Sequence, residues 1–190
     1  MPASSWTGPL MNAVVCTVPD MPPSRVRACL AGFPPPGDYA VEVVPLAYEE
    51  RPHLSGWTHF DDRRITIEVP HPFIPFGEVI PYAAKRRPVD DEMRFTWLTE
   101  GVTFRTAREV VRFVYLHEWM HWYLAERLAR KSRAETTCDR FALWNYRRKV
   151  VTEDDARMAL RRGAGNARTD RARSRPPEPA QLSLGFATSA

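Results

Sequence analysis

The chain of 190 residues carries 27 Lys and Arg against 23 Asp and Glu, a formal net charge of +4, and 44% of its residues are hydrophobic. All of the excess charge sits in residues 161–190, where six arginines (Arg161, Arg162, Arg168, Arg171, Arg173 and Arg175) face only Asp170 and Glu178, so the first 160 residues are neutral. That distribution argues against a basic nucleic-acid-binding face on a folded domain. Three scattered cysteines, Cys16, Cys29 and Cys138, argue against a disulfide framework. No apolar run approaches the ~20 residues needed to span a bilayer, and the opening segment lacks the positive region of a secretory signal. The expectation is a cytoplasmic protein with no membrane association and one core-bearing domain.

Proline divides the chain. All eighteen prolines fall at or before Pro88 or at and after Pro176, which leaves 89–175 free of the strongest helix breaker. Residues 1–37, with Pro22-Pro23 and Pro34-Pro35-Pro36-Gly37, read as a poorly ordered lead-in. Strands follow. Tyr39 to Ala47 is β-branched with partial alternation, and Arg64 to Val69 alternates cleanly with Ile65, Ile67 and Val69 on one face. Trp57 to Phe60 makes a hairpin with the latter across Asp61-Asp62-Arg63. Five prolines and the run Lys85-Arg86-Arg87 predict a long loop over 70–92, and Arg94 to Leu98 reads as a further strand.

Helices begin at Thr106, which with Glu109 has capping-box spacing. Val110, Val114, His117, His121, Leu124 and Leu128 then follow the spacing of one buried stripe. A second helix is predicted from about Ala134 to Lys149, and Thr152 with Asp155 opens a third that ends near Gly163. The pattern predicts an α+β domain over 38–163, a small antiparallel or mixed sheet packed on a helix pair. Residues 164–190 form a basic tail with too little apolar surface to fold alone.

The chemistry concentrates in His117-Glu118-Trp119-Met120-His121. Histidines four apart lie about 40° apart around a helix and ~6 Å along it, so their imidazoles can converge on one ion. Zn²⁺ suits imidazole nitrogen, and Glu118 can face a water on the metal and take its proton. The bland alternative makes both histidines core residues, although an unpaired buried imidazole is costly. Downstream, Glu135-Thr136-Thr137-Cys138-Asp139-Arg140-Phe141-Ala142 puts a carboxylate and an aspartate four apart on one helix face.

In these two motifs the chain resembles the gluzincin metallopeptidases, and most closely the small ImmA/IrrE-like ones with H-E-x-x-H followed by E-x-x-(A/C)-(D/N)-x-F-A. The resemblance covers about Thr106 to Tyr146. It implies a minimal zincin-like fold and a zinc metalloendopeptidase acting on a protein or peptide substrate. His117, His121 and Glu135 would bind Zn²⁺, Glu118 would be base and proton shuttle, and Asp139 would orient a ligand histidine. Only thirteen residues separate His121 from Glu135. If the first helix ran to Lys131 its end would lie ~15 Å from His121, so ligation by Glu135 requires it to stop near Glu126 to Leu128. Otherwise Glu135 is a capping partner of Ser132, and His59, His71 or Asp139 replaces it on the metal. The short spacing also resembles Spartan/SprT-type proteases, whose third ligand is a histidine that this chain lacks.

Tyr146, Tyr123 and His59 are the candidate oxyanion donors. In this class a substrate peptide commonly pairs with an exposed strand edge, here Arg64 to Val69 or Arg94 to Leu98. The rival function is a non-catalytic zinc-binding module, regulatory or interacting, that acts through its C-terminal tail.

That tail ends in Gln181-Leu182-Ser183-Leu184-Gly185-Phe186, which resembles the peptide by which bacterial replication and repair proteins dock on the DNA polymerase sliding clamp. Leu182, Leu184 and Phe186 would supply apolar contacts and Gln181 a polar register, with Pro176, Pro177 and Pro179 stiffening the spacer. The alternative is that these apolar residues pack back on the domain. The arginines before them are either a solvated linker or a nonspecific nucleic-acid contact beside a clamp. A fluorescent peptide of residues 176–190 should bind a bacterial sliding clamp saturably, and replacing Leu184 and Phe186 by Ala should abolish the signal; no saturable binding removes the clamp as partner.

Overall fold

The computed structural model describes residues 13–89, 92–130 and 135–169. The architecture is α+β, with two sheets and four α-helices among the described residues. Strand β1 (Val14–Cys16), helix α1 (Pro23–Leu30) and strand β2 (Ala40–Leu46) form a parallel βαβ unit. Strand β3 (Ser55–His59) turns back through a hairpin into β4 (Arg64–Pro70), which inserts between β2 and β3. The resulting mixed sheet has the order β1-β2-β4-β3, parallel except for β3 at its edge.

The pleat sorts these strands by face. Val14, Val41, Ile65 and Thr58 lie in one cross-strand row and Cys16, Val43, Ile67 and Gly56 in the next. Val41, Val43, Ile65 and Ile67 are fully buried beneath the helices. The opposite face carries Glu42, Arg64, Thr66 and an exposed Trp57, with Arg64 3.4 Å from Glu42.

Residues 13–37 are not a loose lead-in, in contrast to the sequence expectation. Val14, Val18, Met21, Val26, Cys29, Leu30 and Phe33 all belong to the core. The proline run straps helix α2 (Ala107–Trp122): Tyr115 Oη donates to Pro34 O at 2.7 Å and Trp119 Nε1 to Pro35 O at 3.1 Å. Extended proline segments leave their carbonyls free, so they accept the polar tips of buried aromatics.

Residues 70–92 also depart from expectation. Strand β5 (Phe76–Val89) occupies most of this stretch and pairs antiparallel with β6 (Glu92–Phe104). In a two-stranded ribbon each strand has a free edge, where a proline costs no ladder bond. The register shifts between Pro81 and Ala83. The ribbon's base is anchored by buried Phe76, Ile80, Val102 and Phe104, with Phe104 5.3 Å from Phe113 of α2 between ring centroids.

Thr106 caps α2, accepting from the Glu109 N–H at 3.3 Å, while Glu109 reaches back to the Arg105 N–H at 2.7 Å. The helix is buried on nearly all sides rather than along one stripe, because the sheet, α1 and helix α3 (Glu135–Asn145) all pack on it. His117 and His121 are partly buried, on the face that also carries buried Val110 and Val114. Helix α4 (Glu153–Thr169) starts at the Thr152–Asp155 cap, where Thr152 N–H donates to Asp155 at 2.8 Å, and continues past Gly163.

Arg112 joins three segments. Its guanidinium donates to the carbonyls of Tyr146 (2.6 Å), Cys29 and Arg148, and lies 4.0 Å from the Phe33 ring centroid. Cys29 lies in the last turn of α1 and the other two just beyond α3, where helix carbonyls lack partners and carry partial negative charge. Replacing Arg112 by Leu strands three acceptors and should lower stability by ~3–9 kcal/mol in urea unfolding, at ~1–3 kcal/mol per unsatisfied group. Lys should restore little of it, since one ammonium cannot reproduce the planar fork. A loss below ~1 kcal/mol would show that the carbonyls find other partners.

Candidate metal centre

The two histidines meet as the helical spacing predicts. His117 Nε2 and His121 Nε2 are 3.1 Å apart, and Glu135 Oε2 lies 3.3 Å from the first and 3.4 Å from the second. Among the described residues this trio is the group whose ligand atoms converge closely enough to hold a metal ion. The spacing fits zinc: bonds of about 2.0–2.1 Å at tetrahedral angles place neighbouring ligand atoms about 3.3 Å apart. His59, exposed His71 and Asp139, the substitutes for Glu135, are outside the trio.

Glu135 reaches the histidines because α2 ends early. The α-helix stops at Trp122, a π-helical turn runs through Tyr123–Arg127, and Leu128 caps it. Ala129 takes a left-handed φ of 49°, and the Arg130 N–H closes on Leu124 O at 2.8 Å. Tyr39 Oη holds this turn by donating to Glu126 at 3.1 Å, and burial is the main cause that pushes its pKa up to about 12. The helix therefore ends where ligation by Glu135 requires. Ser132, the alternative capping partner, lies outside the described residues.

Asp139, one turn beyond Glu135, lies 2.9 Å from His117 Nδ1. A carboxylate there fixes the proton on Nδ1 and turns the Nε2 lone pair toward the trio. Burial pulls the His117 pKa down, but hydrogen bonds to Asp139 and Glu135 and the nearby carboxylate charges outweigh it and raise it to about 9. The bond from His117 in turn holds Glu135 near 2, against its own burial.

Glu118 lines a cleft of about 390 Å³ together with His117 and Asp139. Its carboxyl group is buried, and Thr58 Oγ1 lies 2.9 Å from Oε2 and 3.0 Å from the Glu118 carbonyl, so one hydroxyl proton serves two acceptors. Strand β3 comes this close because of Gly56: a Cβ there would lie 2.3 Å from Val114 Cγ1 and 3.3 Å from Glu118 Cγ. The cleft is walled by Leu54 to Trp57 on one side and by Glu78, Ile80 and Pro81 of β5 on the other, with Phe113, Val114, His117, Glu118 and Asp139 between.

Tyr146, Tyr123 and His59 do not line this cleft. Tyr146 is buried against Phe104 and Phe113, at centroid distances of 5.8 and 5.6 Å, and Tyr123 stacks on Trp119 at 5.0 Å. The predicted strand edges also change. β4 is interior; Arg94 to Leu98 lies in β6, an edge strand of the two-stranded ribbon that does not line the cleft, and the edge beside the histidines belongs to β3. Gly56 and Thr58 escaped the sequence reading, although a glycine inside a strand is a recognised sign of close backbone approach. Gln181, Leu182, Leu184 and Phe186 lie outside the described residues.

Comparison with protein-family models, with curated proteins and with solved structures finds no match for this chain.

The pKa shifts set the pH behaviour of the metal-free protein. The raised His117 contributes stability that is complete below pH 6.5 and lost as pH rises through about 9. The lowered Glu135 contributes stability present above pH 4.5 and lost as pH falls through about 2. A metal must displace the His117 proton, so zinc binding at pH 7 should release about one proton from this group. The apparent zinc affinity should rise about tenfold per pH unit from 7 toward 9. Calorimetry in buffers of different ionisation enthalpy checks this, and binding without proton release would contradict a protonated His117.

Proposed function

We propose that the protein is a zinc metallopeptidase of the gluzincin type, cutting peptide bonds of a protein substrate. The observation that carries this is the trio of His117, His121 and Glu135 at zinc-ligand spacing beside a cleft that holds a buried carboxylate, Glu118. Three protein donors suit a catalytic zinc, whereas structural zinc is closed by four. Bound zinc would supply Lewis-acid polarisation and lower the pKa of a water toward about 7.

The remaining work falls to the chain's own groups. Glu118 takes the proton from the attacking water and delivers it to the leaving amine, held in place by the Thr58 hydroxyl. Asp139 keeps His117 in the tautomer that binds through Nε2. The edge of β3 that no strand among the described residues pairs with, along the cleft wall, offers main-chain hydrogen bonds to an extended peptide. With none of the three expected donors in the cleft, the main-chain N–H groups of β3 that line it are the oxyanion donors. Docking of 181–186 on a sliding clamp would bring the enzyme to replicating DNA.

The second reading, a non-catalytic zinc module acting through its tail, is supported by the same trio and differs only at Glu118. Glu118→Gln should retain zinc and lower casein cleavage by roughly 10²–10⁴-fold. Thr58→Val should lower kcat with zinc content unchanged. No cleavage by the zinc-loaded wild type would favour the module, and no bound metal in the wild type would return both histidines to a packing role.

A further inference from the structure

The cleft has a second wall whose chemistry is not used by hydrolysis. Strand β3 packs on α2 and β5 packs on α3, so the space between them runs past His117 and Glu118. Among the described residues each strand pairs with a single neighbour, β3 with β4 and β5 with β6, and each leaves one edge free. The carboxylates lining the cleft differ in their partners. Glu118 is bonded by Thr58 and Asp139 by His117, but half-buried Glu78 of β5 has, among the described residues, neither a side-chain hydrogen bond nor an ion pair. Among the described residues no Lys or Arg lines the cleft.

On the reading of this cleft as a peptidase site, we propose that Glu78 is a specificity-determining residue that recognises a positively charged group of the substrate. Leu54, Ile80 and Pro81 supply the apolar surface for the methylene stem of a Lys or Arg side chain. The carboxylate then meets the charged head in a partly desolvated site, where an ion pair is stronger than on an open surface. A substrate α-amine offers the same positive charge, so the side chain and the chain terminus are the two sources to separate.

The test uses binding, so that it does not depend on turnover. Fluorescent peptides of the form Gly-Gly-X-Gly-Gly, with X as Arg, Lys, Gln or Glu, are titrated against the full-length zinc-treated Glu118→Gln protein, each with and without N-terminal acetylation. Acetylated Arg and Lys peptides should bind roughly three- to tenfold more tightly than the Gln peptide, the preference should vanish in Glu78→Gln, and Glu78→Lys should favour the Glu peptide. Dependence on Glu78 confined to free-amine peptides would assign the same cation site to the substrate terminus. Affinities that are unchanged by Glu78→Gln for every peptide, acetylated or free, or an Arg preference that survives Glu78→Gln, would overturn the proposal. Unchanged melting temperature and zinc content in the Glu78 variants exclude misfolding as the cause. Casein cleavage by the wild type, measured separately, decides the peptidase reading, so either idea can fail without the other.

Discussion

A helix buried on nearly every side has no water for its polar side chains, and α2 must carry Arg112, His117, Glu118 and His121. Each meets another part of the chain. Arg112 is spent on the carbonyls where α1 and α3 end, Glu118 on Thr58 of the edge strand, and His117 on Asp139 of α3. Satisfying these groups fixes where α1, β3 and α3 lie around the central helix. Packing the fold and orienting the candidate site are therefore one physical problem, because an unpaired buried polar group costs more than a hydrogen bond gains.

The same economy explains the end of α2. The π-helical turn and the left-handed Ala129 are locally unfavourable, yet buried Tyr123 and Leu124 and the Tyr39–Glu126 bond hold them. The reversal sets Glu135 and Asp139 one turn apart against the two nitrogens of a single imidazole. One carboxylate sits with the trio and the other behind the ring. His117 is thereby strongly basic in the metal-free protein and poised to exchange its proton for a metal.

Much of the α+β organisation was legible because it rests on local patterns. The hairpin across Asp61 to Arg63, the Thr106 cap and the i, i+4 histidines all depend on residues within a few positions of each other. The mistaken expectations share a cause as well. The proline-rich stretches around Pro34 and Pro81 read as loops because local propensity counts lost N–H donors. It does not see the carbonyl strap that Tyr115 and Trp119 use, or the free edge of a two-stranded ribbon. The histidine stripe is largely buried as its periodicity predicts, with Val110, Val114 and Leu124 in the core and the two histidines partly buried.

What the sequence determined by itself is the chemistry available: two imidazoles on one helix, a carboxylate beside the first, and a pair of carboxylates that begins fourteen positions after the second. Tertiary structure decided which of these meet. The helical run had to end by Arg127 for Glu135 to reach the histidines, Gly56 had to lack a side chain for Thr58 to reach Glu118, and β5 had to form for Glu78 to enter the cleft. These depend on packing between segments far apart in the chain, where burial and hydrogen-bond satisfaction override the local preferences that a sequence displays.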